Sequence, residues 1–383
     1  MLHFSTAEFA RRRSALAAEM ARRNLEAMLL FAPESQYWLT GHDSFGYCFF
    51  QCLVVHPGGM HLLTRSADLR QAQLTSNIPD IRIWADAEDA DPALDLRALL
   101  AEIGVLHGRV GIETATHGLT ARNWIQLEQA LRGTRLVEAS DIVPGLRLVK
   151  SAEEIACIRV AAEIADAAWA AALPLIRGGG SEAEILAALQ GEIFRRGGDY
   201  PANPVVIGSG DHALLCRYHS GRRVLAGRDQ ITLEWAGVWR HYHAALMRTV
   251  LVGTADARHL ALHAAAAEAL AACEAALKPG ATTGEVFAEH ARVLDSHGLS
   301  AHRLNACGYA LGARFAPSWM EPQMFIPGGR VRIAPGQVWF LHMILMDSDS
   351  GAAMCLGRSS LVGENGAEPL SALPLDLEIR PAG

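Results

Sequence analysis

Two periodicities alternate along the first 148 residues. Residues 8–23 carry apolar positions at helical spacing behind Ser5 or Thr6, either of which can cap a helix, and "EAMLLF" then reads as a buried strand. "CFFQCLVVHPGGMHLLTR" is two apolar runs joined by Pro-Gly-Gly, a hairpin pattern. "DIRIWAD", "RVGIETA" and "RLVEAS" predict further strands, with helices near 91–103 and 119–132 between them. This alternation predicts a mixed α/β domain.

The pattern changes at "VPGLRLVKSAEEIACIRVAAEIADAAWAAALPLI". Ser151 followed by Glu154 predicts a capping box and a long helix, and Ser181 followed by Glu184 repeats the pattern. "PVVIGSG" predicts a strand, and "QITLEWAGVWRHYHAALMRTVLVG" two strands with a bend at Gly237. Long helices are expected at 255–277 and 283–297, and strands again over 336–362. The domains are therefore read as 1–148 and 149–383, with an α+β class for the whole chain.

Composition narrows the function. Of 383 residues, half are hydrophobic and a fifth charged, which is the balance of a folded chain. A net charge of -7 argues against a nucleic-acid partner, and no run has the apolar length to span a bilayer. The positive charge is almost all arginine. Seven scattered cysteines without CxxC spacing read as buried free thiols in a reducing compartment. With no signal-peptide pattern at the N-terminus, a cytoplasmic location is expected.

Candidate chemistry is concentrated in "LEWAGVWRHYHAALMRT", residues 233–249. Strand alternation puts Thr232, Glu234 and Ala236 on one face, and His241, His243, Ala245 and Met247 on one face of the return strand. A carboxylate in so apolar a strand needs a partner: it is either a structural ion pair or a working acid–base group. His342 is a further histidine inside an apolar strand, and Tyr309 lies among glycines in "NACGYALG". "YWLTGHDSFGY", with Tyr37, Asp43 and Phe45, reads as an exposed aromatic loop able to close over a pocket. "RRGGDYPANPVVIGSG" is Gly- and Pro-rich but lacks the order of a phosphate loop.

These motifs, in this order, resemble the creatinase / aminopeptidase P / prolidase superfamily over nearly the whole chain. The markers are "LRLVKSAEEIACIR", "ITLEWAG", "HYHAALMRT", "ACGYALG" and "IAPGQVWFLHMI"; "GGDYPA", "FAPSW" and "DSDSG" look closest to the ectoine hydrolase-like, metal-free branch. The resemblance implies a creatinase-like N-terminal α/β domain and a C-terminal pita-bread domain, a curved antiparallel sheet covered by helices, in a homodimer. It also implies that the positions holding two metal ions in the family's peptidases fall on Glu234, Ala245, Tyr309 and His342, and near Gly357. Four carboxylates have become one, so no metal and no other cofactor is expected.

The expected activity is metal-independent hydrolysis of a C–N bond in a small polar nitrogen-containing solute, on the ectoine or creatine model. Glu234 would act as acid or base, His243 and His342 in proton transfer or in binding the intermediate, and Tyr309 as a hydrogen-bond donor. The metal-free creatinase pattern places its histidine at Arg217 here. His219 would take that role, while Arg217 holds a substrate carboxylate, and His241, Tyr242 and Trp319 complete the substrate contacts. The alternatives are a metal-dependent Xaa-Pro peptidase, a dimethylsulfoniopropionate lyase-like enzyme, and a solute-binding protein without catalysis.

Overall fold

The computed structural model describes residues 2–217 and 221–383, which form two compact units, Met1–Arg147 and Leu148–Gly383. In the first unit the chain runs α1 (Thr6–Arg22), β1 (Ala27–Leu30), α2 (Pro33–Thr40), β2 (Cys52–His56), β3 (Gly59–Arg65), α3 (Leu69–Thr75), β4 (Asp80–Trp84), α4 (Pro92–Glu102), β5 (Arg109–Ile112), α5 (Ala121–Ala130), β6 (Arg135–Glu138) and α6 (Ile142–Arg147). Ser5 caps α1 by accepting from the Glu8 N–H, and Phe9, Leu16 and Met20 form its buried stripe. The strands make one mixed sheet in the order β4-β3-β2-β1-β5-β6. One face buries Leu29, Val54 and Leu63 against α4 and α5; the other buries Met28, Leu30 and Leu62 with residues of α1, α2 and α6. The Pro-Gly-Gly hairpin forms between β2 and β3 as its sequence requires.

The second unit runs α7 (Ala152–Ala172), α8 (Glu182–Arg195), β7 (Val206–Ser209), β8 (Asp229–Trp239), β9 (Tyr242–Val252), α9 (Ala257–Ala276), α10 (Thr283–Ser296), β10 (Gly308–Ala310), β11 (Val338–Asp347), β12 (Ala352–Gly363), β13 (Gly366–Pro369) and β14 (Glu378–Arg380). The capping box of α7 is complete, Ser151 and Glu154 each satisfying the other's backbone N–H. At α8 the expected box is replaced by a simpler cap: Ser181 accepts from the Ala183 N–H rather than from that of Glu184. An antiparallel path β10-β11-β12-β9-β8-β7 carries the sheet, with β13 and β14 added at β12 and β9. Ile231, Leu233, Trp235 and Val250 pack with α7 and α8, and Leu341, Met343 and Met354 with α9 and α10. Both clusters lie on the same sheet face, so the helices cover one side and leave the other to the site.

No bend occurs at Gly237. β8 and β9 pair without interruption from Asp229–Val252 to Trp239–Tyr242, and the reversal is made by Arg240 and His241, at φ 51° and 63°. Two positive φ values in a row give a hairpin turn whose twist matches its strands. Gly237 serves α7 instead: a Cβ there would lie 2.0 Å from the Ala161 carbonyl oxygen.

Candidate active site

The register of the second sheet builds the site. Directly opposed residues of antiparallel strands project from the same face. Val206 opposes Glu234, Glu234 opposes Met247, Met247 opposes Gly357 and Gly357 opposes His342. Ala245 opposes Ala236, two residues from Glu234, and Tyr309 opposes Phe340, two residues from His342. Glu234, Ala245, Tyr309, His342 and Gly357 therefore share the helix-free face, although 123 positions separate the first from the last.

Glu234 lines a cavity of about 220 Å³ with Tyr309, Arg217, Trp319, Asn203 and Met320. The Tyr309 hydroxyl donates to Glu234 Oε1 at 3.0 Å and accepts from Trp319 Nε1 at 2.8 Å. The Trp319 backbone N–H donates to Asn203 Oδ1 at 3.1 Å. The Tyr309 hydroxyl is thus fixed in direction, accepting from Trp319 and donating to Glu234. Burial raises the Glu234 carboxyl to about 7, against the opposing pull of the Tyr309 hydrogen bond and the Arg217 charge. Burial and the neighbouring carboxylate hold the Tyr309 hydroxyl protonated, well above the ordinary phenol range.

Glu234, Tyr309, Trp319 and Arg217 are brought together at the cavity, whereas its lining does not include His243 or His342. His243 is completely buried, and its Nε2 accepts the Ala202 N–H at 3.0 Å. The ring proton is thereby fixed on Nδ1, which has no partner. Burial drives its pKa down to about 3, so it stays neutral and anchors the Ala202–Asn203 segment beneath Trp319. His342 is also neutral, lowered to about 3 chiefly by burial. It packs against Tyr309 and Phe340 with a buried, unpartnered Nδ1.

Three further expectations change. Tyr242 projects from the opposite, helix-covered face and donates to Glu154 Oε1 at 2.7 Å, tying β9 to the capping box of α7. His241 lies in the turn before β9, where its ring stacks on Phe315 with centroids 4.1 Å apart, so it does not share a strand face with His243. Tyr37 belongs to α2, fully buried, with its hydroxyl bonded to His3 Nδ1 at 2.9 Å; the aromatic segment is not an exposed loop there. Asp43 is half-buried and Phe45 is 75% exposed, both in the first unit. His219 lies outside the described residues.

Asn203, Met320, Ser318 and Pro204 were not expected at the cavity. The Gly- and Pro-rich approach to β7 and the segment after "GYALG" both stood out in the sequence. Nothing in their spacing from Glu234 shows that they meet.

Residues 156–363 match the model of metallopeptidase family M24, and residues 12–149 match the creatinase/prolidase N-terminal domain. The chain belongs to metallopeptidase family M24. It is 26% identical over 399 residues to ectoine hydrolase from Halomonas elongata, covering 99% of both chains. It is 27% identical over 393 residues to creatinase from a Bacillus species, covering 98% of this chain and 93% of that one. A recombinant prolidase from Thermococcus sibiricus superposes with a TM-score of 0.87 at 18% identity, over 98% of this chain and 100% of that chain. The fold is that of the creatinase, aminopeptidase P and prolidase superfamily, with a creatinase-type N-terminal domain and the curved pita-bread sheet.

The M24 site here does not fit a pair of divalent ions. The five positions that the family resemblance assigns to metal ligands, which share the helix-free face, offer one carboxylate, already bonded to Tyr309, and one imidazole. Two cations close together need bridging negative ligands to offset their repulsion, and Ala245 and Gly357 supply none. Among the described residues, His302, Asp347 and Asp349 also bring possible ligand atoms within 4.8 Å of one another. Asp347 there is already held by Arg258 and by the N–H groups of Asp349 and Ser350.

Proposed function

We propose that this M24 protein hydrolyses a C–N bond in a small, polar, nitrogen-containing solute without a metal ion. The observation that carries this reading is the Glu234 carboxyl, raised to about 7 and oriented by Tyr309 at a cavity of about 220 Å³. A carboxyl with that pKa exists in both protonation states near neutrality, as a group that first takes and then returns a proton must.

Ionised Glu234 accepts a proton from water as the oxygen forms a bond to the substrate carbon. Protonated Glu234 then delivers that proton to the leaving nitrogen as the C–N bond breaks. While Glu234 is ionised, the Tyr309 O–H is committed to it. Once Glu234 is protonated, that O–H is released to bond the oxygen of the tetrahedral intermediate. Trp319 holds the hydroxyl in place throughout. Arg217 at the cavity lining suits a substrate carboxylate, which a guanidinium grips through two hydrogen bonds.

The test is turnover of a panel of small cyclic amidines, amides and ureas, with and without EDTA. Chelator-insensitive turnover, with Glu234→Gln lowering kcat by about 10²–10⁴, is the expected result. Activity abolished by EDTA and restored by manganese, cobalt or zinc would sink this reading in favour of a metallohydrolase. Saturable binding without turnover would replace it with a solute-binding role.

A further inference from the structure

The first unit contains a further group of proton-carrying side chains. On the β2–β3 hairpin, His61 opposes Val54 and His56 lies two residues beyond Val54, so the two imidazoles are diagonal neighbours on one sheet face. Their Nε2 atoms are 3.0 Å apart. The ring centroids are 5.1 Å apart with 24° between planes, so the rings meet edge to edge through these nitrogens. His61 Nδ1 lies 2.7 Å from Asp80 Oδ2.

The hydrogen bonds allow one neutral assignment. Asp80 is ionised, its carboxyl held low chiefly by Arg82, so His61 Nδ1 donates to it and His61 Nε2 presents a lone pair. Gly58 N–H donates to His56 Nδ1 at 3.3 Å, so His56 carries its proton on Nε2 and donates it to His61. One exchangeable proton therefore sits between two nitrogens. The nitrogens have the separation that two imidazoles adopt on one ion, roughly 2.9–3.4 Å for metal–nitrogen bonds of about 2.0–2.1 Å.

A carboxylate bonded to the far nitrogen of a histidine is also the usual support of a metal-binding imidazole, because it fixes the tautomer and raises ligand basicity. Coordination requires the rings to tilt until their lone pairs converge. Both histidines are partly exposed, so solvent reaches the pair and waters can complete the coordination.

We propose that His56 and His61, backed by Asp80, bind one divalent transition-metal ion on the first unit. The ion replaces the shared proton, which leaves to solvent, so binding weakens as the pH falls and the imidazoles protonate. Two nitrogen donors favour copper over zinc, nickel and cobalt, with manganese weakest.

The experiment is zinc titration of the EDTA-treated, dialysed full-length protein, read by equilibrium dialysis and plasma mass spectrometry. One equivalent is expected in the wild type and in Glu234→Gln. It should be lost in His56→Ala and His61→Ala and weakened about 10–100-fold in Asp80→Asn. Zinc retained by both histidine variants overturns the proposal. Zinc lost in Glu234→Gln overturns it too, by placing the ion at the M24 site, and that same result would count against metal-independent hydrolysis. Should the variants not fold, zinc protection of His56 and His61 from diethyl pyrocarbonate in the wild type decides: protection supports the site, and equal labelling with and without zinc overturns it.

Discussion

At the scale of single residues, the chemistry turns on what surrounds Glu234. Its pKa of about 7 is a balance: burial favours the protonated form, while the Tyr309 hydrogen bond and the Arg217 charge favour the carboxylate. If Glu234 is the base, kcat/KM rises with pH through a limb near 7 and then levels. Tyr309→Phe removes a bond made to the carboxylate, so the limb moves to higher pH as the plateau falls; an unmoved limb would detach Tyr309 from Glu234 function. Arg217→Gln should raise KM mainly for substrates bearing a carboxylate, which comparing each substrate with its amide analogue would reveal. Glu234 was legible in the sequence because a charge in an apolar strand demands an explanation. His243 and His342 carried the same signal, but burial lowers the pKa of each to about 3 and so weakens both as bases. A strand pattern shows that a histidine faces inward. It cannot show that a backbone N–H from Ala202 will occupy the ring nitrogen.

Among the elements, the instructive position is Gly237. A glycine between two apolar runs reads as a bend, yet β8 passes straight through it. Its reason lies in α7, far along the chain, whose backbone approaches so closely that a Cβ would meet the Ala161 oxygen at 2.0 Å and the Ala165 nitrogen at 2.4 Å. Neither contact can relax by side-chain rotation, so Gly237→Ala must push helix from strand. The expected loss is about 1–3 kcal/mol, as for other overpacked interiors. Trp169 on α7 and Trp235 on β8 stack with centroids 5.0 Å apart at this interface, so their fluorescence reports both the displacement and the urea midpoint. An unchanged midpoint would mean that the two elements separate without cost. Helix termini and the first hairpin were legible because capping and turn chemistry are local. The reversal at Arg240 and His241 was not, because neither residue announces a positive φ as glycine or asparagine would. With that turn unseen, His241 was assigned to a strand face that begins one residue later.

For the whole molecule, frame and chemistry separate. The apolar periodicities that build the two sheets run along each strand, so the fold was legible from patterning while the cavity was not. Asn203, Trp319 and Arg217 come from different connections and meet only through the sheet's register. A second consequence concerns pH. In the first unit Glu113 is buried and raised to about 7, although it accepts from the Ala32 N–H and Ser35 hydroxyl at the start of α2. A folded-state pKa above the unfolded value means that the native protein binds the extra proton. Its contribution is therefore complete below about 4.5 and is lost as the pH rises through about 7. Asp347, lowered to about 2, acts in the opposite sense, and its contribution is lost only as the pH falls from about 4 toward 2. Up to about pH 6.5 the buried, lowered His243 and His342 act against Glu113, since the unfolded chain binds their protons and the native one does not, so the Glu113 contribution is read from the difference between wild type and a Glu113 variant. Glu113→Gln keeps the shape, can still accept from Ala32 and can donate to Ser35, and has no charge to desolvate. Its thermal midpoint should match the wild type near pH 5 and exceed it at pH 8, by a margin on the order of 2–3 kcal/mol in unfolding free energy. Parallel pH profiles for the two proteins would show instead that Glu113 remains ionised in the folded state, its charge carried by the start of α2.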